Sequence, residues 1–359
     1  MKKIVFILSK QSVFPYSGVW RHILWLYDAI KDDFDIQLIY QPEDSGYFWR
    51  VFTLPRILKK LPNDTLKIFC DENFLVSLRT SYTSSSIFFV MHYPFIVPAT
   101  SLKENIIRYI SFFTFKKLKT LPQILTISYE TQKMLTSIFS LDESKIKVLP
   151  CTFDTTEFFP VNLYEKTELR RILSKQYSIS KDKKWILYVG TNESRKNLMT
   201  LISALVDIPD ILFIRIGSSV SDKNEQELTV AMTKNSINTV HIEWITNQQM
   251  IEWYQSADVF VFPSLYEGFG RPPIEAQCCG CPVISTHGWA LEEVIGSSAY
   301  IVSDPMDVSA FHQAIVAVLS DSRLRESLQA SGLSNVKRFD PRGVMLQFHQ
   351  LVSDFVLPL

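Results

Sequence analysis

"DVFVFPSLYEGFGRPPIEAQCCGCPVIS", Asp258–Ser285, carries the pattern of the whole fold in one stretch. The apolar run Val259–Phe262 has the length of a buried strand and ends at Pro263–Ser264. The loop "YEGFG" follows, and Pro272 and Pro273 suit the first turn of a helix that runs through Ile274–Cys279 and stops at Gly280. A second apolar strand comes next, Pro282–Ser285. Strand, loop, helix and strand make the repeating unit of a parallel sheet, whose neighbouring strands need a crossover connection. Ligands of such sheets gather at the carboxyl ends of the strands, where Glu267 stands beside Gly268, Phe269 and Gly270. Both glycines are free to take positive φ, which lets backbone N–H groups approach an anion or a sugar hydroxyl. This spacing puts Glu275, eight positions after Glu267, in the first helical turn. The macrodipole favours a carboxylate there by about 0.3–1 kcal/mol, and its two oxygens can grip a vicinal diol such as that of ribose. The plainer alternative makes Glu275 a cap of its own helix and Glu267 a solvated loop charge.

The same alternation runs outward in both directions, so the fold class is α/β with doubly wound parallel sheets. Strands are predicted at Ile4–Leu8, Asp35–Tyr40, Leu66–Cys70, Ile87–Met91, Ile124–Ile127 and Ile146–Leu149, with helices at Val19–Lys31, Ser101–Leu118 and Tyr129–Phe139. A polar, lysine-rich stretch, Asn162–Lys184, breaks the series before it restarts at Trp185–Val189 and continues through Ile211–Ile216, Val240–Ile242, Val259–Phe262, Pro282–Ser285 and Tyr300–Val302. A chain of 359 residues exceeds the roughly 250–300 at which one core stops growing, so two domains are expected. We place them at 1–161 and 162–339, with 162–184 as the linker. A terminal helix, 340–359, opens on Asp340–Pro341 and carries an apolar stripe.

Composition excludes several classes. Lys plus Arg (37) equal Asp plus Glu (37), which leaves no global field to recruit nucleic acid. The apolar run at Ile4–Leu8 is shorter than the roughly 7–15 residues of a signal-peptide core, and no stretch reaches the roughly 18 of a membrane span. Five cysteines without a framework fit a reducing cytoplasm, and the lone C-x-x-C at Cys278–Cys281 reads as small packing residues.

Three further stretches carry chemistry. In "LYVGTNESRKNL" a strand ends at Gly190, and Arg195 and Lys196 stand where a helix begins near Asn197. Cations oppose the dipole at that end, so an external anion such as phosphate explains them, with a surface charge pair as the alternative. In "IFFVMHYPF", His92 follows a strand at its carboxyl end, in reach of a proton-handling or a structural role. In "SVFPYSGVWRHI", Gly18 links the first strand to the first helix.

With "SGVWRHI", "TISYETQKML", "KIKVLPCTFDTTEFFP", "YVGTNESRKNL", "EGFGRPPIEAQCCGCPVIS" and "ALEEVIG" in this order, the chain resembles glycosyltransferase family four, retaining enzymes of GT-B fold. The resemblance covers nearly the whole second half and landmarks of the first. It implies two Rossmann-like domains facing a central cleft: an N-terminal one for the acceptor, against which the terminal helix packs back, and a C-terminal one for a nucleotide-sugar donor. It also implies roles. Lys196 and Arg195 would neutralise the departing diphosphate, Glu275 would hold the ribose, and Glu267 would lie near the donor sugar, with backbone contacts from Gly268, Phe269 and Gly270. His92 would face the sugar, and Gly18, Gly190 and Ile245 would line the donor site. Thr191 stands where some members carry an arginine, which puts more weight on Arg195 and Lys196, and Trp244 stands where glycine is common. The implied reaction transfers a hexose, with mannose the first choice, from a GDP- or UDP-hexose with retention, assisted by the leaving phosphate. It uses no cofactor and no divalent metal.

Two basic aromatic stretches, "YFWRVFTLPRILKK" from Tyr47 and "RYISFFTFKKLKTLP" from Arg108, have the composition of interfacial helices on an anionic leaflet, or of ordinary amphipathic helices. The first reading makes the acceptor a lipid-linked oligosaccharide, as in O-antigen, lipopolysaccharide or capsule assembly. It makes the protein cytoplasmic and peripheral to the inner face of the membrane. Three readings compete: a glycosidase using Glu267 and Glu275, which leaves Arg195 and Lys196 idle; a GT-B sugar-nucleotide epimerase; and a non-catalytic nucleotide-sugar-binding subunit.

Overall fold

The computed structural model describes residues 3–10, 18–79, 81, 83–91, 109 and 112–356. The chain divides into two compact units, Met1–Thr152 with Pro341–Leu359, and Phe153–Asp340.

The first unit holds a six-stranded parallel sheet of β1 (Lys3–Leu8), β2 (Asp35–Tyr40), β3 (Leu66–Phe69), β4 (Ser86–Val90), β5 (Gln123–Thr126) and β6 (Ile146–Val148), in the order β2-β1-β3-β4-β5-β6. The runs of β1, β3 and β4 are near-continuously buried because both faces of the sheet are covered there, while the edge strand β2 is largely exposed. On one face Val5, Ile7, Phe69, Phe88 and Val90 join a core with Trp49, Leu54, Leu58, Phe115, Leu118 and Leu135. On the other, the terminal helix Pro341–Val356 buries Val344, Phe348, Val352 and Val356 at helical spacing. Phe348 lies 6.3 Å from Phe89 of β4, and His349 Nε2 lies 3.0 Å from Asp33 Oδ2. The segment that begins at Tyr47 forms a five-residue π-helix, Trp49–Thr53, followed by the α-helix Leu54–Lys59. Pro55 has no N–H to give the carbonyl one turn earlier, and Arg79 Nη2 donates to Val51 O instead, at 2.9 Å. The helix predicted over Ser101–Leu118 falls largely outside the described residues; its described end is helical over 112–115 and continues as a 3₁₀ helix, Lys116–Thr120.

The second unit repeats the plan with β7 (Lys184–Val189), β8 (Ile211–Ile216), β9 (Thr239–Ile242), β10 (Val259–Phe262), β11 (Val283–Thr286) and β12 (Tyr300–Val302), ordered β12-β11-β10-β7-β8-β9. The chain winds outward from β7 through β8 to β9, then returns to β10 on the other side. The crevice between the carboxyl ends of β7 and β10 is therefore the topological switch point. The stretch 162–184 contains a capped helix, Leu163–Tyr177, held to this unit by Arg170, whose Nη1 meets Asp258 Oδ2 at 2.8 Å and whose guanidinium lies 4.4 Å over the Trp185 ring. Among the described residues no helix is long and apolar enough to cross a membrane.

Candidate functional site

The loops that follow β7 and β10 build one charged site in the second unit. After β7, Gly190 takes φ 154°, and a Cβ there would meet the Tyr188 hydroxyl at 2.6 Å. Asn192, 2% exposed, then locks the loop. Its Oδ1 accepts from Val220 N (2.8 Å), and its Nδ2 donates to Ser221 O (2.8 Å) and Glu225 Oε2 (3.0 Å). Glu225 is held in turn by two 2.8 Å bonds from the buried Arg215, which with His241 keep its carboxyl below the ordinary range despite partial burial. Ser194–Lys196 form a single 3₁₀ turn, and the helix Leu198–Ala204 begins after Asn197 in left-handed conformation (φ 56°). Asn197 Nδ2 donates to Pro263 O at 3.1 Å and Leu265 N to Arg195 O at 2.8 Å, so the two loops are joined by direct bonds.

Across that seam Lys196 Nζ donates to Glu267 Oε1 at 2.6 Å and Arg195 Nη1 to Glu267 Oε2 at 3.0 Å, while Arg195 Nε meets Glu193 Oε2 at 2.6 Å. The sequence suggested that an external anion explains the two cations; in the folded chain an internal carboxylate answers both. Burial alone would raise the Glu267 carboxyl, but the Lys196 ammonium and the Arg195 guanidinium outweigh it and hold the group below the ordinary carboxylate range. Burial draws Lys196 below its usual value against the pull of Glu267. Arg195, Lys196, Glu193 and Glu267 together carry no net charge, so the site is neutral as it stands.

Beyond Glu267 the outcome differs from expectation at two residues. Gly268 is not in the positive-φ region; Gly270 is, at φ 94°, with Leu291 Cδ2 only 2.3 Å from where a Cβ would sit. Gly270 is the N-cap of the helix Arg271–Cys278, which places Glu275 in the second turn and not the first. The helix starts early because the left-handed Gly270 turns the chain directly into Arg271, with the prolines just inside. The end-of-helix dipole argument for Glu275 weakens accordingly. Glu275 instead receives the Tyr254 hydroxyl on Oε2 at 3.2 Å and faces Arg271 Nη2 at 3.5 Å from Oε1. Phe269 is 3% exposed, stacked 6.2 Å from Phe153, so its ring belongs to the core and only its backbone faces the loop.

Of the other expected positions, Ile245 lies half-buried in the loop after β9, beside the exposed Trp244. Gly18 opens the first helix of the first unit, Gly18–Asp28, and His92 lies outside the described residues. Sequence reading passed over Asn192, Tyr254, Arg271 and Trp289. Trp289 takes φ 59° and ψ −119°, a conformation suited to glycine, while its backbone pairs with Glu267 in a parallel bridge. Such a residue costs on the order of 1–3 kcal/mol and persists only where its surroundings impose it. Here Thr286 Oγ1 donates to Ser264 O at 2.6 Å, and Gly288 sits too close to Leu265 O for any Cβ, at 2.8 Å. The described cysteines are all buried, and burial pushes the Cys278 and Cys281 thiols up to about 12, which suits packing and not nucleophilic chemistry.

The second unit is thus a doubly wound α/β domain with opposed charges converging at its switch point. Residues 170–333 match the profile of the family described as glycosyl transferases group 1. They are therefore a domain of that family. The chain is 28% identical over 240 residues to the O-antigen chain mannosyltransferase B of Escherichia coli, an alignment covering 65% of this chain and 61% of that relative. Among solved structures it is similar to a sucrose-phosphate synthase from Thermosynechococcus elongatus, with a TM-score of 0.81 at 18% identity over 99% of both chains. The Anabaena protein HepE in complex with UDP and glucose matches with a TM-score of 0.79 at 14% identity, over 99% of this chain and 100% of that one. The GT-B fold implied by the sequence resemblance is thus the fold observed.

Proposed function

We propose that the protein is a retaining glycosyltransferase that moves a hexose, mannose in the first instance, from a nucleotide-diphosphate sugar to a glycan acceptor in cell-surface polysaccharide assembly. The observation that carries this reading is the meeting of Lys196 and Arg195 with Glu267 at the switch point of the second sheet. Departure of a nucleoside diphosphate leaves negative charge on its phosphates, and preorganised cations lower the barrier to it. Glu267 keeps both cations in place and compensated while no donor is bound. On donor entry the phosphates take up the cations, and the Glu267 oxygens turn to the sugar hydroxyls. An O-antigen mannosyltransferase among the relatives and a UDP- and glucose-bound protein among the similar structures support this donor class. The glycosidase reading gives Arg195 and Lys196 no part in bond cleavage, whereas a departing diphosphate uses both.

Screening UDP- and GDP-sugars by thermal shift tests the proposal. A donor at 100 times its Kd stabilises by about 2.7 kcal/mol, so one nucleotide class raises Tm by several degrees. No shift with any nucleotide sugar overturns it. Among proteins that do bind, transfer to an added acceptor marks a transferase, an isomeric nucleotide sugar marks an epimerase, and no turnover marks a binding subunit.

The acceptor in this reading is lipid-linked. Phe48 (68% exposed) precedes the π-helix and Phe52 (47%) lies within it, Phe113 (49%) follows Phe112, and Arg56, Lys59, Lys60, Lys116 and Lys119 are exposed in the same segments. Both segments pack on the same core cluster, through Trp49, Leu54 and Leu58 on one side and Phe115 and Leu118 on the other. They therefore share one face of the first sheet, suited to an anionic leaflet. The protein is expected to co-sediment with phosphatidylglycerol vesicles and to be released by salt; equal behaviour with neutral vesicles removes the membrane contact.

A further inference from the structure

Tyr254 is fully buried, 5.5 Å edge-on to Phe260, and its hydroxyl points its proton at Glu275 Oε2. Burial first, then the Glu275 charge, keeps that phenol protonated far above neutral pH, so it acts as a donor throughout. Arg271 stands one helical turn before Glu275 and lies 4.3 Å over the Phe153 ring, which fixes the guanidinium against a rigid aromatic surface. Its side chain is 10% exposed and that of Glu275 is 14% exposed, so the pair is largely withdrawn from solvent with a small open edge.

A carboxylate offers about four lone-pair positions, two on each oxygen. From within the domain, Oε2 meets one donor in Tyr254 and Oε1 faces one in Arg271. Each oxygen keeps one position that neither partner fills, and the two oxygens of a planar carboxylate lie side by side. Two parallel acceptors at that spacing match the two O–H groups of a vicinal diol. A single hydroxyl, or a diol with one member missing, leaves one acceptor unmet at a half-buried site, and that is costly. We infer that Tyr254 and Arg271 are positioning residues that present both oxygens of Glu275 to the ribose diol, and so make the site discriminate ribonucleotides from deoxyribonucleotides. The inference rests on the reading of Glu275 as the ribose-holding residue.

Calorimetric titration with UDP and GDP, and with their 2′-deoxy counterparts, tests both statements separately. The protein binds the ribo form of its preferred nucleotide at least tenfold more tightly than the deoxy form. Glu275→Gln removes most of that preference. Tyr254→Phe deletes one oxygen atom, and Arg271→Gln removes the cation while retaining a polar end. Each weakens ribonucleotide binding three- to tenfold and leaves deoxynucleotide binding unchanged, so the ratio between the two falls. If Glu275→Gln keeps the full preference, the ribose reading fails and the inference with it. If Glu275→Gln loses the preference but Tyr254→Phe and Arg271→Gln retain it, the inference alone is overturned. Equal weakening of both nucleotide forms in Tyr254→Phe also overturns it, because that is the mark of a merely structural tyrosine.

Discussion

Lys196→Met lowers kcat/KM by at least a hundredfold, about 2.7 kcal/mol of transition-state stabilisation, while circular dichroism shows the fold retained; the melting temperature falls, because the buried Glu267 keeps only Arg195 as a partner. The size follows from placement. Lys196 Nζ sits 2.6 Å from Glu267 Oε1, its side chain is 10% exposed, and its ammonium lies 5.0 Å from the Phe262 ring. In so dry a site a fixed charge acts on a leaving diphosphate with little solvent screening. Methionine keeps the length of the stem and the contact with Phe262, so the change removes charge more than packing. Arg195→Met has a smaller effect. Arg195 divides its guanidinium between Glu193 at 2.6 Å and Glu267 at 3.0 Å, and at 22% exposure it is nearer to water. Initial rates with the donor found by thermal shift give the measurement. Rates within threefold of normal in Lys196→Met remove the cation from the chemistry, and equal losses at both positions remove the ranking.

The contrast between what sequence reading reached and what it missed has a physical source. Strand Val259–Phe262 was legible to the residue because a parallel strand covered on both faces needs an unbroken apolar run bounded by turn residues, and Ile211–Ile216 was legible because Arg215 is the single break in such a run. The charged residues of the site were legible individually, since they follow strand ends. Their pairing was not: Arg195 and Glu267 stand 72 positions apart, and only the switch in strand order brings their loops together. The turn occupied by Glu275 depends on the left-handed φ of Gly270 against Leu291, which residue identities do not reveal. Tyr254 reads as one more aromatic in "IEWYQSAD", because nothing near it in sequence names Glu275 as the partner of its hydroxyl. Trp289 was hidden for the opposite reason, since its backbone defies the preference of its residue type.

Asp258→Ala lowers the melting temperature of the second unit by on the order of 10 °C, with little change in donor affinity once folded. Asp258 Oδ2 accepts from Arg170 Nη1 and from Trp185 N, both at 2.8 Å, and Lys166 Nζ stands 4.0 Å from Oδ1. Removing the acid leaves two largely buried cations and a backbone N–H without it, and breaking such a pair costs about 3–5 kcal/mol. At about 2–4 °C per kcal/mol for a unit of this size, the expected shift follows. Asp258→Asn retains an acceptor for Trp185 N and falls between the two. The effect also has a pH signature. Burial would raise the Asp258 carboxyl, but Arg170 and Lys166 prevail and hold it below the ordinary range. A folded value below the unfolded one of about 3.9 means the stabilisation is fully present above that value and is lost as pH falls through the lower folded value. Melting curves of the unaltered protein and of Asp258→Ala therefore lie far apart at pH 7 and converge as pH drops below about 4. A gap that stays constant down to pH 3 assigns the loss to packing around Trp185 and not to the charge pair.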